Sequence, residues 1–383
     1  MRLRHPDGAT IHLSYCTNVH QAEDLDGILA QLDRFAEPVR ERLDVPVLGL
    51  GLWLAADVAR ALAADPGAAR RLGAELRTRG LEVVTLNAFP YQGFQSPAVK
   101  KRVYHPDWTT PERLRYTLDA ATVLAHLLPA DVAEGSVSTL PLAWRDPWDF
   151  GRAALARGHL ADLAVGLAAL SAATGRIVRV GLEPEPGCVL TTAEDAAKGL
   201  AFLYTGWVGV CVDVCHLAVG FEDPHAALAG LEAAGLPIVK VQASCAMEAR
   251  DPADPATLRA LADYQEPRFL HQTGERGAGS VDDLDQAIGG RLPGRAPWRV
   301  HYHLPLHAQP RPPLESTSDV LESALDALFG GPTARTRHLE VETYTWHVLP
   351  NPPGSDAGLV AGLAAELAWT RDHLLALGLK EVR

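Results

Sequence analysis

The chain has few cysteines, and none of them forms a CxxC pair. The five are Cys16, Cys188, Cys211, Cys215 and Cys245. An odd number of scattered cysteines argues against a disulfide framework and is typical of reduced thiols in a cytoplasm. We therefore expect a cytoplasmic protein in which Cys211 and Cys215 are small core residues rather than ligands.

Long hydrophobic runs and an excess of basic residues are also missing. The first residues, MRLRHPDGATIHLSY, lack the apolar core of a secretion signal. No apolar run approaches the roughly 20 residues that cross a bilayer, so we expect no membrane insertion. The formal net charge of -12 repels phosphate backbones, which argues against a nucleic-acid partner.

What the chain does contain is an alternation of short Val- and Leu-rich runs with longer amphipathic segments. This alternation predicts βα units and a parallel sheet, here an α/β fold of the (β/α)8 TIM-barrel type. We see no shift in composition along the 383 residues that would separate a second domain, so residues 1–383 are expected to form one. The eight predicted strands are Ile11–Thr17, Val47–Trp53, Glu82–Ala88, Gly135–Leu140, Val178–Glu183, Val208–Asp213, Ile238–Ala243 and His338–Glu342.

In the segments between these strands, apolar residues recur at helical spacing. Helices are predicted from Asp24, as N-cap, to Leu43, from Thr110-Pro111-Glu112 onwards, and over Leu160–Ala173 and Leu359–Leu377. An additional strand-like run, Trp298–Leu306, lies between the seventh and eighth strands. Two long βα loops, Phe89–Thr110 and Arg250–Pro297, are expected to shape a pocket at the C-terminal face of the barrel. The second is expected to contain two or more short helices.

Three of the predicted strands end in acids, namely Glu183, Asp213 and Glu342. Three carboxylates at one rim repel each other unless a cation, protons or a partner offsets the charge, and a divalent metal is the simplest explanation. A lone glutamate after a strand can also cap a helix or pair with arginine. Asp213 with His216 three residues later is more specific, although a histidine near a helix start can be purely structural.

Several motifs resemble a known group of barrels. VGLEPEPG, GVCVDVCHLAVGFEDP and HLEVETYTW resemble the xylose-isomerase-like barrel superfamily, which includes sugar isomerases, ketose 3-epimerases, inosose dehydratases and the endonuclease IV family. Over nearly the whole chain, SYCTNVH, LNAFPYQGF, VYHPDWTTPERL and LEPEPGC are similar to the bacterial EboE family, called metabolite traffic proteins.

The resemblance implies a set of site residues. Its metal ligands match Glu183, Asp213, His216 and Glu342, with Gln242 where the superfamily usually has a histidine; the departure weakens the site unless His301 or His303 supplies a nitrogen. Glu183 and Glu342 would move protons as a pair. Nearby histidines favour Mn, Zn or Fe over Mg. The expected substrate contacts are His216, His20, Asn87, Tyr91 and His301, with Asn18 near His20 at the mouth of the barrel. The aromatic residues Phe89, Tyr91, Phe94 and Trp108 could form an apolar wall.

Three functions remain open at this point. The first is a metal-dependent isomerase or epimerase acting on a sugar-like or cyclitol-type metabolite. The second is a non-catalytic carrier that uses the same pocket, in line with the EboE label. The third is an endonuclease IV-like phosphoesterase, which Gln242 and the acidic net charge disfavour.

Overall fold

The computed structural model describes residues 1–203 and 205–382. The strands are β1 (Arg2–Arg4), β2 (Thr10–Cys16), β3 (Leu48–Trp53), β4 (Leu81–Asn87), β5 (Glu134–Thr139), β6 (Ile177–Leu182), β7 (Val208–Asp213), β8 (Ile238–Ala243), β9 (Cys245–Ala249), β10 (Thr273–Glu275), β11 (Gly279–Val281), β12 (Trp298–Leu304), β13 (Glu315–Ser316), β14 (His338–Val341) and β15 (Lys380–Glu381).

The α-helices alternate with these strands. They are α1 (Leu25–Gln31), α2 (Glu37–Arg42), α3 (Ala56–Ala64), α4 (Pro66–Thr78), α5 (Pro111–Leu127), α6 (Phe150–Thr174), α7 (Ala193–Gly199), α8 (Val214–Val219), α9 (Pro224–Ala233), α10 (Pro255–Ala262), α11 (Leu284–Gln286), α12 (Ser318–Phe329) and α13 (Asp356–Ala376).

Eight parallel strands close into a barrel. The sheet runs from β2 through β8 in sequence order, and β14 closes it by pairing with both β8 and β2. Each predicted strand is present, with bounds within one residue of those expected. The predicted (β/α)8 fold is therefore confirmed, and because the strands are parallel, all their carboxyl ends meet at one rim.

The barrel strands read as continuous apolar runs because both of their faces are covered. In β3, β4, β7 and β8 every residue is buried, as expected when helices cover the outside and side chains fill the inside. One pair of charges lies within this core, since Lys240 Nζ is 2.5 Å from Glu340 Oε2. A Cβ at Gly51 would lie 1.1 Å from Glu340 Oε1, so any larger residue here would push the Glu340 carboxylate out of its present position.

The predicted helices are present with altered bounds. Asp24 accepts a hydrogen bond from the Gly27 amide as N-cap, and α1 and α2 run on through a π-helical turn over Leu32–Ala36. Thr110 precedes α5 without a side-chain cap bond. The helix predicted from Leu160 begins ten residues earlier as α6, which is long and apolar enough by composition to cross a membrane. In the barrel α6 packs against α5 and β6.

A second sheet lies in the connection between β8 and α12. Its order is β11-β10-β12-β9-β13, and all of its pairings are antiparallel. The extra strand predicted at Trp298–Leu306 is its centre, β12. The Arg250–Pro297 segment contains the short helices α10 and α11, as expected, and also the short strands β10 and β11, which were not predicted. Strands of three residues leave too little periodicity to predict.

Candidate metal and substrate site

Three carboxylates converge at the rim where the barrel strands end. Glu183 follows β6, Asp213 ends β7 and Glu342 follows β14, and all three are buried. One oxygen from each lies within 4.8 Å of the others. The amides of Asn18 and Asn87 both donate to Glu342 Oε1, at 2.7 and 2.9 Å. The parallel register of the barrel thus brings the three predicted acids together.

The charge of this group is poorly compensated. Burial, followed by repulsion from Glu342 and Asp213, raises the pKa of Glu183 well above its usual range. Burial and the neighbouring Asp213 act in the same way on the pKa of Glu342. Burial alone would also raise the pKa of Asp213, but His216, His303 and hydrogen bonds from Ser244 and the His216 amide lower it overall. Asp213 is therefore the member of the group that ionises most readily.

Gln242 stands beside the carboxylates without a hydrogen-bond partner. It lies in register between Asp213 on β7 and Glu340 on β14, on the same inward face as Lys240 two residues earlier. Within the described residues, neither its Oε1 nor its Nε2 is hydrogen-bonded, and the same holds for Glu183 Oε2 and Asp213 Oδ2. Buried polar atoms left unpaired are costly, so this point calls for a bound group.

Three imidazoles form the other side of the floor. Asp213 caps α8, since its Oδ1 accepts a hydrogen bond from the His216 amide at 3.0 Å. The His216 side chain then points toward the second sheet. His301 and His303 project from one face of β12. His301 Nε2 lies 3.2 Å from the Nε2 atoms of both His216 and His303. Burial lowers the pKa of all three, that of His216 to about 4.

Four residues that the sequence analysis did not assign to the site take part in it. Tyr104 donates to Glu185 Oε1 at 2.7 Å, and Gln272 donates to the same oxygen at 2.9 Å. Burial raises the pKa of Glu185 to about 7, although these hydrogen bonds act to lower it. Tyr344 contacts His301 Nε2 at 3.3 Å. Only Glu185 carried a signal, because it follows Glu183 by two residues in Glu-Pro-Glu-Pro.

A cavity opens above this floor. Its polar lining includes Asn18, Asn87, Glu183, Glu185, His216, His301, His303 and Glu342. Its other walls are apolar and include Phe89, Phe94, Val99, Phe269 and Tyr344. Phe94 packs against Phe269 and Tyr344, with ring centroids 5.1 and 5.2 Å apart.

Other residues predicted for the site lie elsewhere. His20 stacks on Phe35 with ring centroids 4.4 Å apart, and its Nε2 contacts the Tyr15 hydroxyl. Tyr91 packs against Tyr116, and Trp108 is fully buried in the main hydrophobic core. Two of the four predicted wall aromatics, Phe89 and Phe94, therefore reach the cavity, while the others support the loop that carries them.

The residues present fit a divalent metal ion. The carboxylates of Glu183, Asp213 and Glu342 supply oxygen donors, and the unpaired amide of Gln242 adds a weaker one. Imidazole nitrogens lie next to them, with His303 Nε2 3.8 Å from Asp213 Oδ2. A mixed oxygen and nitrogen donor set suits borderline transition metals better than Mg²⁺ or Ca²⁺.

Comparisons with known proteins agree with this architecture. A search of curated proteins finds no significant match. Among solved structures, an L-ribulose 3-epimerase aligns with a TM-score of 0.53 at 11% identity, covering 96% of this chain and 95% of its own. A D-psicose 3-epimerase gives 0.50 at 14%, covering 95% and 99%.

A Mycobacterium smegmatis protein solved in complex with magnesium aligns with a TM-score of 0.51 at 14% identity, covering 95% of this chain and 98% of its own. At these identities, the three structures support the fold alone. The family profile described as xylose isomerase-like TIM barrel matches residues 49–256, more than half of the chain. With this match and the closed barrel together, the chain belongs to the xylose isomerase-like TIM barrel family.

Proposed function

We propose that this protein is a metal-dependent isomerase or epimerase of a small hydroxycarbonyl metabolite, sugar-like or cyclitol-like. The observation that carries the proposal is the convergence of Glu183, Asp213 and Glu342, with oxygens within 4.8 Å of one another. Two of them, Glu183 and Glu342, line the cavity. Isomerisation, epimerisation and dehydration all begin with removal of a proton beside a carbonyl, which a pair of carboxylates can perform.

Glu183 and Glu342 are the proposed proton carriers. Burial raises the pKa of both, so each accepts a proton more readily than an exposed carboxylate does, as a general base requires. Asn18 and Asn87 fix one oxygen of Glu342 and leave the other free to face a substrate. The apolar wall around Phe94 excludes water from the reacting carbon.

Glu183, Asp213 and Glu342 would hold the ion, with Gln242 beside them. A divalent metal bound there polarises a carbonyl oxygen and acidifies the adjacent carbon. Asp213 is anchored by Ser244 at 2.8 Å and by the His216 amide, so its role is to hold charge in a constant position. Mn, Zn or Fe remains the proposed identity.

The metabolite-handling role follows the resemblance to the EboE family, and the epimerase chemistry is in line with the names of the aligned L-ribulose and D-psicose 3-epimerases. The proposed partner is a small molecule rather than nucleic acid or a membrane. We keep a cytoplasmic location as part of the proposal, in view of the five unpaired cysteines.

Deuterium exchange tests this function before the substrate is known. Protein treated with chelator and reloaded with Mn²⁺ is incubated in D₂O with D-fructose, D-psicose, L-ribulose and inososes, and NMR measures deuterium at the carbon beside the carbonyl. We expect exchange with at least one compound. Glu183→Gln and Glu342→Gln should each lower its rate by about 10²–10⁴-fold. Glu112→Gln, at an exposed position, is the matched control.

Two outcomes would contradict the proposal. If both glutamate variants exchange deuterium at the wild-type rate, the paired carboxylates do not move the proton. If the protein binds one of these metabolites without any exchange, it is a carrier. Cleavage of abasic DNA by the metal-loaded protein would instead favour the phosphoesterase.

A further inference from the structure

Helix α6 is apolar on both of its faces. Its inward face consists of buried residues at helical spacing, among them Ala156, Leu160, Leu163 and Leu167. Its outward face carries three of the four large hydrophobic side chains that are exposed among the described residues. Phe150 is 90% exposed, Leu155 54% and Val165 70%. A helix that is apolar all round is normally buried, so the outward face of α6 is a surface that a partner would be expected to cover.

The outward face follows a seven-residue repeat of the kind that pairs helices. Written abcdefg, its a positions are Gly151, Gly158, Val165 and Ala172, and its d positions are Ala154, Ala161 and Ala168. All seven residues are exposed or half-buried. Side chains this small at the a and d positions allow two helix axes to come close together.

Gly158, near the middle of this face, has no role within its own chain. Glycine in a helix interior weakens the helix. A Cβ at this position would meet no atom within 4 Å among the described residues, so the packing of the barrel does not require glycine here. The approach of a second helix would explain the residue, because a larger side chain would hold the two backbones apart.

The two charged residues of the face lie on its opposite edges. Arg157 occupies a g position, with its guanidinium 4.8 Å from the ring of Phe202, and Asp162 occupies an e position. In a parallel pair of helices, each g residue lies beside the e residue five positions later on the partner. Arg157 would therefore meet Asp162 of the second copy, and Phe150 would meet Leu155 of the second copy.

An antiparallel pair does not make these contacts. It sets each edge of the face against the same edge of the partner, so Arg157 would lie away from Asp162 of the second copy. The opposite charges five residues apart thus favour the parallel arrangement, in which a two-fold axis forms the ion pair twice.

We propose that the outward face of α6 is the interface of a homodimer, with the two copies of α6 parallel about a two-fold axis. The occupant of the face is then a second copy of this chain. A bilayer surface suits the face less well, because Asp162 matches its single arginine and the net charge of the chain is -12. The inference is independent of the chemistry at the cavity.

The mass of the full-length protein in solution gives the first test. Sedimentation equilibrium of the wild type should show a dimer. Val165→Asp places an unpaired carboxylate of each copy in the interface, and should raise the dissociation constant of the dimer at least about 100-fold. Val47→Asp, at the exposed hydrophobic residue that lies outside α6, is the matched control and should leave the constant unchanged. Circular dichroism confirms that each variant is folded.

A charge swap tests the pairing itself. Arg157→Asp or Asp162→Arg alone sets like charges against each other twice, and should weaken the dimer at least about tenfold. The double variant Arg157→Asp with Asp162→Arg should restore the wild-type dissociation constant. A double variant that is as weak as the two single variants combined would overturn the assigned contact.

Disulfide cross-linking tests the orientation. The five native cysteines are buried, so a cysteine introduced on α6 is the thiol that an oxidant reaches. In a parallel pair Ala154→Cys and Ala168→Cys should each cross-link to the same residue of the second copy. Cross-linking only in a mixture of the two variants would overturn the parallel arrangement.

Two further outcomes would overturn the dimer as a whole. One is a wild type that stays monomeric at every concentration. The other is a monomer that binds vesicles of phosphatidylcholine and phosphatidylglycerol and loses this binding in Val165→Asp, which would assign the face to a membrane surface.

Discussion

The two halves of the cavity floor are built by different kinds of structure. Glu183, Asp213 and Glu342 stand at the ends of parallel barrel strands, each held between two neighbours. His301 and His303 come from β12, in an antiparallel sheet inserted after the seventh barrel strand. The carboxylate half is thus positioned by the closure of the barrel, whereas the imidazole half depends on how a separate sheet packs over the rim.

This difference has a consequence for how each half is stabilised. The carboxylate half rests on a charged interior, where Lys240 pairs with Glu340 at 2.5 Å and reaches Ser138 at 3.4 Å. Burial alone would lower the pKa of Lys240, but the Glu340 carboxylate raises it above the usual value. The imidazole half instead rests on neutral hydrogen bonds through Gln272 and backbone carbonyls. Substitutions can therefore disturb either half separately.

The largest expected effect is in the barrel interior. Lys240→Met should lower the free energy of unfolding by about 3–5 kcal/mol, because it leaves the Glu340 carboxylate buried without a partner. Urea denaturation measures the loss. The double variant Lys240→Met with Glu340→Gln should recover part of it, since no unpaired charge remains. A Lys240→Met protein as stable as the wild type would show that the ion pair does not support the carboxylate half.

A second prediction concerns Glu366 of α13, which joins the two halves. It accepts hydrogen bonds from Thr343 at 2.6 Å, beside Glu342, and from the Leu306 amide at 3.1 Å, just beyond β12. Burial raises the pKa of Glu366 from 4.5 to about 7, despite these hydrogen bonds and one from Trp346. The folded protein therefore holds this proton more tightly than the unfolded chain.

The stability that this proton contributes is fully present below pH 4.5 and is lost as the pH rises to about 7. The free energy of unfolding of the wild type should fall over this window by up to about 3 kcal/mol from this group. Glu366→Gln should flatten the profile by that amount, measured by urea denaturation at several pH values. Glu322→Gln, at an exposed position, should leave it unchanged; equal slopes in all three proteins would refute the assignment.

The smallest effect is expected from loosening the imidazole half alone. Gln272→Leu removes the acceptor that holds His301 Nδ1, and loss of such an outer partner typically weakens metal binding by about 10–100-fold. Competition with a chromophoric chelator should show this loss as a lower zinc affinity of the full-length protein. Gln265→Leu, at an exposed position, serves as the control. A zinc affinity that is unchanged in Gln272→Leu would mean that the imidazole half does not contribute to metal binding.

Much of the carboxylate half could be predicted because each of its acids follows a long apolar strand. A parallel barrel places every such position at one rim. The location of Glu183, Asp213 and Glu342 could therefore be predicted without knowledge of side-chain geometry. The positions of the expected substrate contacts could not be predicted in this way. His20 and Tyr91 each lie four residues beyond the end of a strand. They turn away into packing with Phe35 and Tyr116, because loop conformation determines where such side chains point.

By itself, the sequence determined the barrel, its eight strands and the acids at their ends, since apolar periodicity and strand order are local properties of the chain. Only the tertiary structure determined which polar side chains of the site come into contact. Gln272 and His301 lie 29 residues apart, and Tyr104 lies 81 residues from Glu185. Their contacts arise from the docking of β12 and the Phe89–Thr110 loop over the rim, and no spacing along the chain encodes that arrangement.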